Sequence, residues 1–168
     1  LLLEVLIERI MHATTGLLNA ERASLFVYDE KAEELFTLYA DGVETRGIHV
    51  PTGRGIAGAV FTTGHVENIA DAYEDSRFNR EIDSRTGFRT RSILCVPITN
   101  KAGARIGVAQ ALNKKGGAFT AKDEARLKAF AAQIAVSLEN AKLFDDVLSM
   151  KNYNESILKS TSNGIVTL

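Results

Sequence analysis

The stretch NKKGGAFTAKDEARL gathers in a short span the side chains most able to do chemistry: Asn113, Lys114, Phe119, Asp123 and Glu124. An ammonium and a carboxylate can work as an acid–base pair or as an ion pair. Acid–base catalysis would also need a nucleophile or a second base within reach, and the stretch supplies none. Asp123 follows Thr120 by three positions, the spacing at which a hydroxyl caps a helix start and an acid returns the bond. The helix dipole also favours a carboxylate in the first turn. The residues therefore predict a clamp: Lys114 pairs with Asp123 and closes the KKGGAFTA loop, with Phe119 inserted below as an apolar plug.

Other reactive groups are scattered. GRGIAG, with Gly53, Gly55 and Gly58, reads as G-x-G-x-x-G, and Asp71 follows it. A dinucleotide fold needs a full strand before such glycines and a full helix after them. Here Pro51 ends the strand early, and HVENI leaves room for about two or three helical turns. What survives is a glycine-flanked helix start, which suits a phosphate or a plain tight turn. His12, His49 and His65 stand on separate segments without metal-ligand spacing, so no metal is expected. Cys95, in SILCVPI, has apolar neighbours and no base beside it, which predicts a buried thiol rather than a nucleophile. Asp71, Glu74, Asp75, Glu81 and Asp83 interleave with Arg77, Arg80, Arg85, Arg89 and Arg91, the pattern of a solvated ion-pair surface. No Ser–His–Asp set can be assembled, and neither catalytic residues nor a cofactor are expected.

The elements that must position these residues follow from patterning. The 168 residues suit one domain with a sizeable core, and 45% apolar with 24% charged content is that of an ordinary globular protein. A net charge of −1 gives no field for nucleic acid or an anionic membrane, and no apolar run is long enough to span one. The lone cysteine forbids an internal disulfide and fits a reducing compartment, hence the cytoplasm. LLLEVLIERIMHATTGLL carries Leu3, Leu6, Ile7, Ile10 and Met11 at helical spacing. RASLFVYDEKAEELFTLYADG reads as a hairpin, RGIHV as a short strand stopped by Pro51, and GIAGAVFTTG as a short helix between glycines. The polar segment from Asn68 to Arg91 predicts irregular backbone with a short helix around 77–83. SILCVPI and ARIGVAQALN are strands joined by a tight NKAG turn. From Thr120 a helix is predicted to about Lys159. Strands that come as hairpins, with helices at both ends, argue an antiparallel sheet in an α+β fold. No Met opens the chain and NGIVTL closes it in strand-like sequence, so a piece of a longer protein is expected.

Asn113, Lys114, Phe119, Asp123 and Glu124 match the N-K-x(n)-F-x3-D-E signature of GAF domains of the cyclic-nucleotide type. The run from Gly55 to Ile98 closely resembles regulatory GAF domains of cyclic-nucleotide phosphodiesterases and of GAF-containing class III adenylyl cyclases, and the likeness extends over about residues 5–145. It implies a six-stranded antiparallel sheet with helices on both faces and a domain over residues 1–145. It also implies a ligand site. Ser24 and Asp41 would face the purine. Ile56 and Ala57 would meet the phosphate through backbone N–H groups. Asn79, Asp83, Thr86 and Thr90 would come from a covering segment. Ala40 stands where phosphodiesterase members often carry a Phe. The tail, YNESILKSTSNGIVTL, resembles the opening of a PAS domain, which makes residues 146–168 a linker helix and the start of a following domain, similar to the layout of bacterial GAF-containing adenylyl cyclases.

The resemblance thus implies a regulatory, non-catalytic domain that binds a cyclic nucleotide, cAMP ahead of cGMP, and relays to an output domain such as an adenylate or guanylate cyclase. The rival expectation is a GAF domain without a ligand, serving as a dimerising relay. Some GAF relatives reduce methionine sulfoxide with cysteines, and the lone Cys95 argues against that third course. Leu127, Ile134, Ala141 and Leu148 recur every seven residues. The first two are expected to cover the domain's own sheet. Leu148, with the N-terminal helix, predicts a parallel homodimer through the terminal helices.

Overall fold

The computed structural model of the chain describes the backbone of residues 2–41 and 48–163, and the side chains of residues 2–41 and 48–142. Helix α1 (Leu2–Leu18) leads into the hairpin β1 (Ala20–Asp29) and β2 (Glu34–Ala40), then the short β3 (His49–Pro51). Helix α2 (Gly55–Thr63), β4 (Glu67–Ile69), a 3-10 turn (Ala72–Glu74) and α3 (Glu81–Thr86) precede the hairpin β5 (Ile93–Thr99) and β6 (Arg105–Lys114). Helix α4 (Ala121–Asn163) closes the described chain. The strands form one sheet in the order β3-β2-β1-β6-β5-β4, and every neighbouring pair is antiparallel. This is the α+β architecture that the hairpin pattern predicts.

Both faces of the sheet are covered, which is why SILCVPI reads as a continuous apolar run rather than an alternating one. Leu94, Val96 and Ile98 point to one face with Leu25, Ala109 and Ala111. There they meet Ile7, Ile10 and Met11 of α1 and Leu127, Ala131 and Ile134 of α4. Ile93 and Cys95 point to the other face with Leu35 and Val108, against Ile56, Ala57 and Val60 of α2. Burying one such aliphatic side chain stabilises by about 1.5–3 kcal/mol. Leu127 and Ile134 are fully buried on the sheet, as the heptad reading anticipates for them. The side chain of Leu148 lies outside the described residues, and so does the strand expected in GIVTL.

Two local expectations shift. The short helix near the middle of the chain begins at Glu81 rather than near Arg77. Asp75 takes residues 75–78 into a turn: its Oδ1 accepts from the Arg77 N–H at 2.9 Å and its carbonyl accepts from the Phe78 N–H at 3.1 Å. Asn79 then accepts from the Glu81 N–H at 3.0 Å and starts the helix. Segment Glu67–Ile69, which overlaps the start of the stretch expected to be irregular, is the edge strand β4, paired to β5 with Asn68 opposite Leu94.

Candidate functional site

Between the β1–β2–β6 part of the sheet, the start of α2 and the segment around α3 lies a cavity of about 860 Å³. The residues that the family resemblance implies for a ligand site all line this cavity: Ser24, Asp41, Ile56, Ala57, Asn79, Asp83, Thr86 and Thr90. They come from β1, the end of β2, α2 and the cover, so the fold gathers residues far apart in the chain. The floor alternates as a strand must: Ser24 and Ala40 face the cavity, while Leu25 and Tyr39 pack toward α1 and α4.

At the near wall, α2 starts without a side-chain cap. Among the described residues its first N–H groups therefore have no intrahelical or side-chain partner, and they present the positive end of the helix dipole. The approach is tight. A Cβ on Gly58 would sit 2.9 Å from the Gly53 nitrogen, so only glycine lets the loop fold back onto the helix. Gly55 takes a positive φ of 67° where the helix begins.

The cover is tied down from inside. Asp83 is buried, and its oxygens accept from the Tyr73 hydroxyl at 2.7 Å, the Thr90 N–H at 2.8 Å and the Thr90 hydroxyl at 2.9 Å. Asp41 likewise accepts from the Ala23 N–H and from the Tyr39 hydroxyl, both at 2.9 Å. Both carboxylates thus spend acceptor capacity on their own chain, a use that the sequence does not reveal. Arg22 lies 3.9 Å over the Phe88 ring, a cation–π contact. Arg77 makes paired bonds to Asp75 and to Glu67 of β4, and its guanidinium holds the Asp75 carboxyl below the usual carboxylate range.

The five-residue signature lies on the opposite side of the sheet. Lys114 Nζ is 3.0 Å from Asp123 Oδ2, with 18% and 2% of the side chains exposed. It also donates to the Leu18 carbonyl at 2.8 Å, fastening the end of α1. Asp123 accepts from the Thr120 N–H at 2.9 Å, and the Thr120 hydroxyl accepts from the Asp123 N–H at 3.1 Å, the reciprocal box that the spacing predicts. Burial pushes the Asp123 carboxyl up. The Thr120 N–H and Lys114 outweigh it and hold the carboxyl below its ordinary range. Phe119 is buried beneath the loop. Glu124 accepts from Asn68 at 3.0 Å, and Asn68 also donates to the Phe119 carbonyl at 2.9 Å. Lys114 and Asp123 therefore clamp α1, β6 and α4 together.

Four residues that sequence reasoning passed over belong to the cavity, its cover or the clamp: Arg22 and Gln110 line the cavity, Tyr73 ties the cover, and Asn68 joins the clamp. Gln110 left a signal, as the one polar side chain in the strand VAQAL. It sits opposite Ser24 on the β1–β6 ladder, and both line the cavity. Among the described residues neither side chain has a hydrogen-bond partner. Cys95 is fully buried, and burial pushes its thiol far above the ordinary range, so it is not a nucleophile. Among the described residues no His, Cys, Asp and Glu side chains cluster as a metal site, and no helix is long and apolar enough to cross a membrane.

The model of the GAF domain family matches residues 2–138. The chain is 38% identical over 157 residues to a probable 3′,5′-cyclic phosphodiesterase, pde-5, of Caenorhabditis elegans, covering 86% of this chain and 21% of that protein. It is 38% identical over 153 residues to the dual 3′,5′-cyclic-AMP and -GMP phosphodiesterase 11A of Takifugu rubripes, covering 83% and 17%. The chain thus spans about a fifth of the length of these relatives. The GAF domain of a phosphoenolpyruvate-protein phosphotransferase from Coxiella burnetii superposes with a TM-score of 0.78 over 86% of both chains at 20% identity, a likeness of fold. The chain belongs to the GAF domain family.

Proposed function

We propose that the domain is a receptor for a cyclic nucleotide and prefers cAMP to cGMP. The observation that carries this reading is the convergence of residues from β1, β2, α2 and the cover on one cavity of about 860 Å³, a size that holds a small ligand. The relatives, as cyclic-nucleotide phosphodiesterases, support the ligand class. The uncapped start of α2 would take the cyclic phosphate through the N–H groups of Ile56 and Ala57. Ser24, Asn79 and Thr86 would bond the sugar and base, with Asp41, Asp83 and Thr90 holding the walls in place while keeping a lone pair each for the ligand. Gln110 offers a donor and an acceptor side by side, the pair that an adenine edge accepts. Calorimetric titration with cAMP and cGMP tests this: one site per chain and tighter cAMP binding are expected, and no heat with either at saturating concentration overturns it.

Binding would be relayed by α4, with residues 1–145 as the sensing domain and 146–168 as the linker into a PAS-like segment and an output such as a cyclase. A homodimer through the terminal helices fits the exposed Leu2, Val5, Leu6 and Leu17 of α1 and Val136 of α4. Sedimentation at tens of micromolar checks it, and a monomer at that concentration refutes it. A second reading, a relay domain without a ligand, draws on the internal bonding of Asp41 and Asp83. The same titration separates the two.

A further inference from the structure

Asn113 is the residue of the signature that the Lys114–Asp123 clamp leaves unexplained. It is buried and takes a φ of 59°, a left-handed conformation that asparagine tolerates. Its side chain grips the peptide groups on either side of Thr90. Nδ2 donates to the Arg89 carbonyl at 2.9 Å, and Oδ1 accepts from the N–H groups of Arg91 and Ser92. Nδ2 also donates to Glu21 on β1 at 2.9 Å, and the Asn113 N–H donates to the Ser92 carbonyl at 2.8 Å. Thr90, held between these grips, is bonded through its own N–H and hydroxyl to Asp83 on α3.

We infer that Asn113 is the positioning residue of the cavity's cover, setting α3 over the site through Thr90 and Asp83 and joining the cover to the terminal helices through its neighbour Lys114. The inference rests on reading the cavity as the ligand site. The hydrogen-bonded line runs from Asp83 to Thr90, to the peptides around it and to Asn113. One peptide bond further, Lys114 reaches the end of α1 and the start of α4. The chemistry requires asparagine. Aspartate lacks the two donors and would face the Glu21 carboxylate, whereas glycine keeps the backbone conformation but leaves the Arg89, Arg91 and Ser92 peptide groups without their partner.

Hydrogen exchange on the unliganded domain tests this with two variants. Asn113→Gly should speed exchange across 83–92 by about tenfold, the effect of losing one to two net hydrogen bonds, while 121–135 stays within about threefold of the parent. Asp123→Asn should do the reverse. Parent-like exchange across 83–92 in Asn113→Gly, or equal acceleration of both segments, overturns the inference. If Asn113→Gly does not fold, Asn113→Asp keeps the acceptor contacts, loses the donors and is read in the same way. Because no ligand is present, a failure of cAMP to bind would refute the receptor reading without altering this result.

Discussion

The two faces of the sheet are built from alternate residues of the same strands, yet they are used differently. On the face toward α1 and α4, Leu25, Leu94, Val96 and Ile98 are filled in by aliphatic side chains from two long helices. On the face toward α2 and α3, apolar packing by Val60, Cys95 and Val108 stops partway, and beyond it polar side chains such as Ser24 and Gln110 line open space. A short helix and a polar cover cannot fill that face as α1 and α4 fill the other. Apolar packing is therefore concentrated on one side and open, polar-lined space on the other, and adjacent residues in one strand face the two.

Substitutions can break that division. The largest effect is expected from Leu25→Ala, which opens a cavity in the packed face and should cost about 2–5 kcal/mol in urea unfolding. Asp123→Ala comes next. Removing the carboxylate strands the Lys114 charge and the Thr120 N–H, and should cost about 2–3 kcal/mol with cAMP binding lost only in step with folding. Its pH dependence has a definite sign. The carboxyl binds a proton less readily in the folded chain, so its contribution is complete above the unfolded value of about 3.9. That contribution is lost as pH falls through the lower folded value. Asp123→Asn should flatten acid unfolding in that window, and an unchanged acid limb would show that the pair contributes nothing. Thr90→Val keeps the shape but leaves an Asp83 oxygen without its hydroxyl partner, for a loss of about 1–2 kcal/mol in stability.

The smallest stability effect belongs to Ser24→Ala, beside Leu25 but on the open face. It should change stability by less than about 0.5 kcal/mol while weakening cAMP binding by about 1 kcal/mol. A Ser24→Ala protein destabilised as strongly as Leu25→Ala would erase the distinction between the faces.

The packed face was the more legible of the two in the sequence. The spacing of Ile7, Ile10 and Met11 and the run SILCVPI declare burial through composition alone, and the Thr120–Asp123 spacing declares the clamp. β4 was hidden because three residues with a single apolar side chain leave no period to read, and its place is set by pairing with β5. The onset of α3 was hidden because Asp75 and Asn79 redirect the backbone through side-chain bonds. The lining of the cavity came from resemblance to a family rather than from pattern. The internal partners of Asp83 could not be foreseen, since Tyr73 in a 3-10 turn and Thr90 in an irregular stretch meet it only in the folded cover.

The most direct test of the division is amide chemical-shift mapping of the labelled domain during titration with cAMP. Saturable shifts are predicted at Ser24, Ala57, Thr86, Thr90 and Gln110, with Leu94, Val96, Leu127 and Ile134 nearly unmoved. An unchanged spectrum at saturating cAMP, or shifts confined to the α1–α4 face, would contradict the assignment of the half-filled face as a cyclic-nucleotide site.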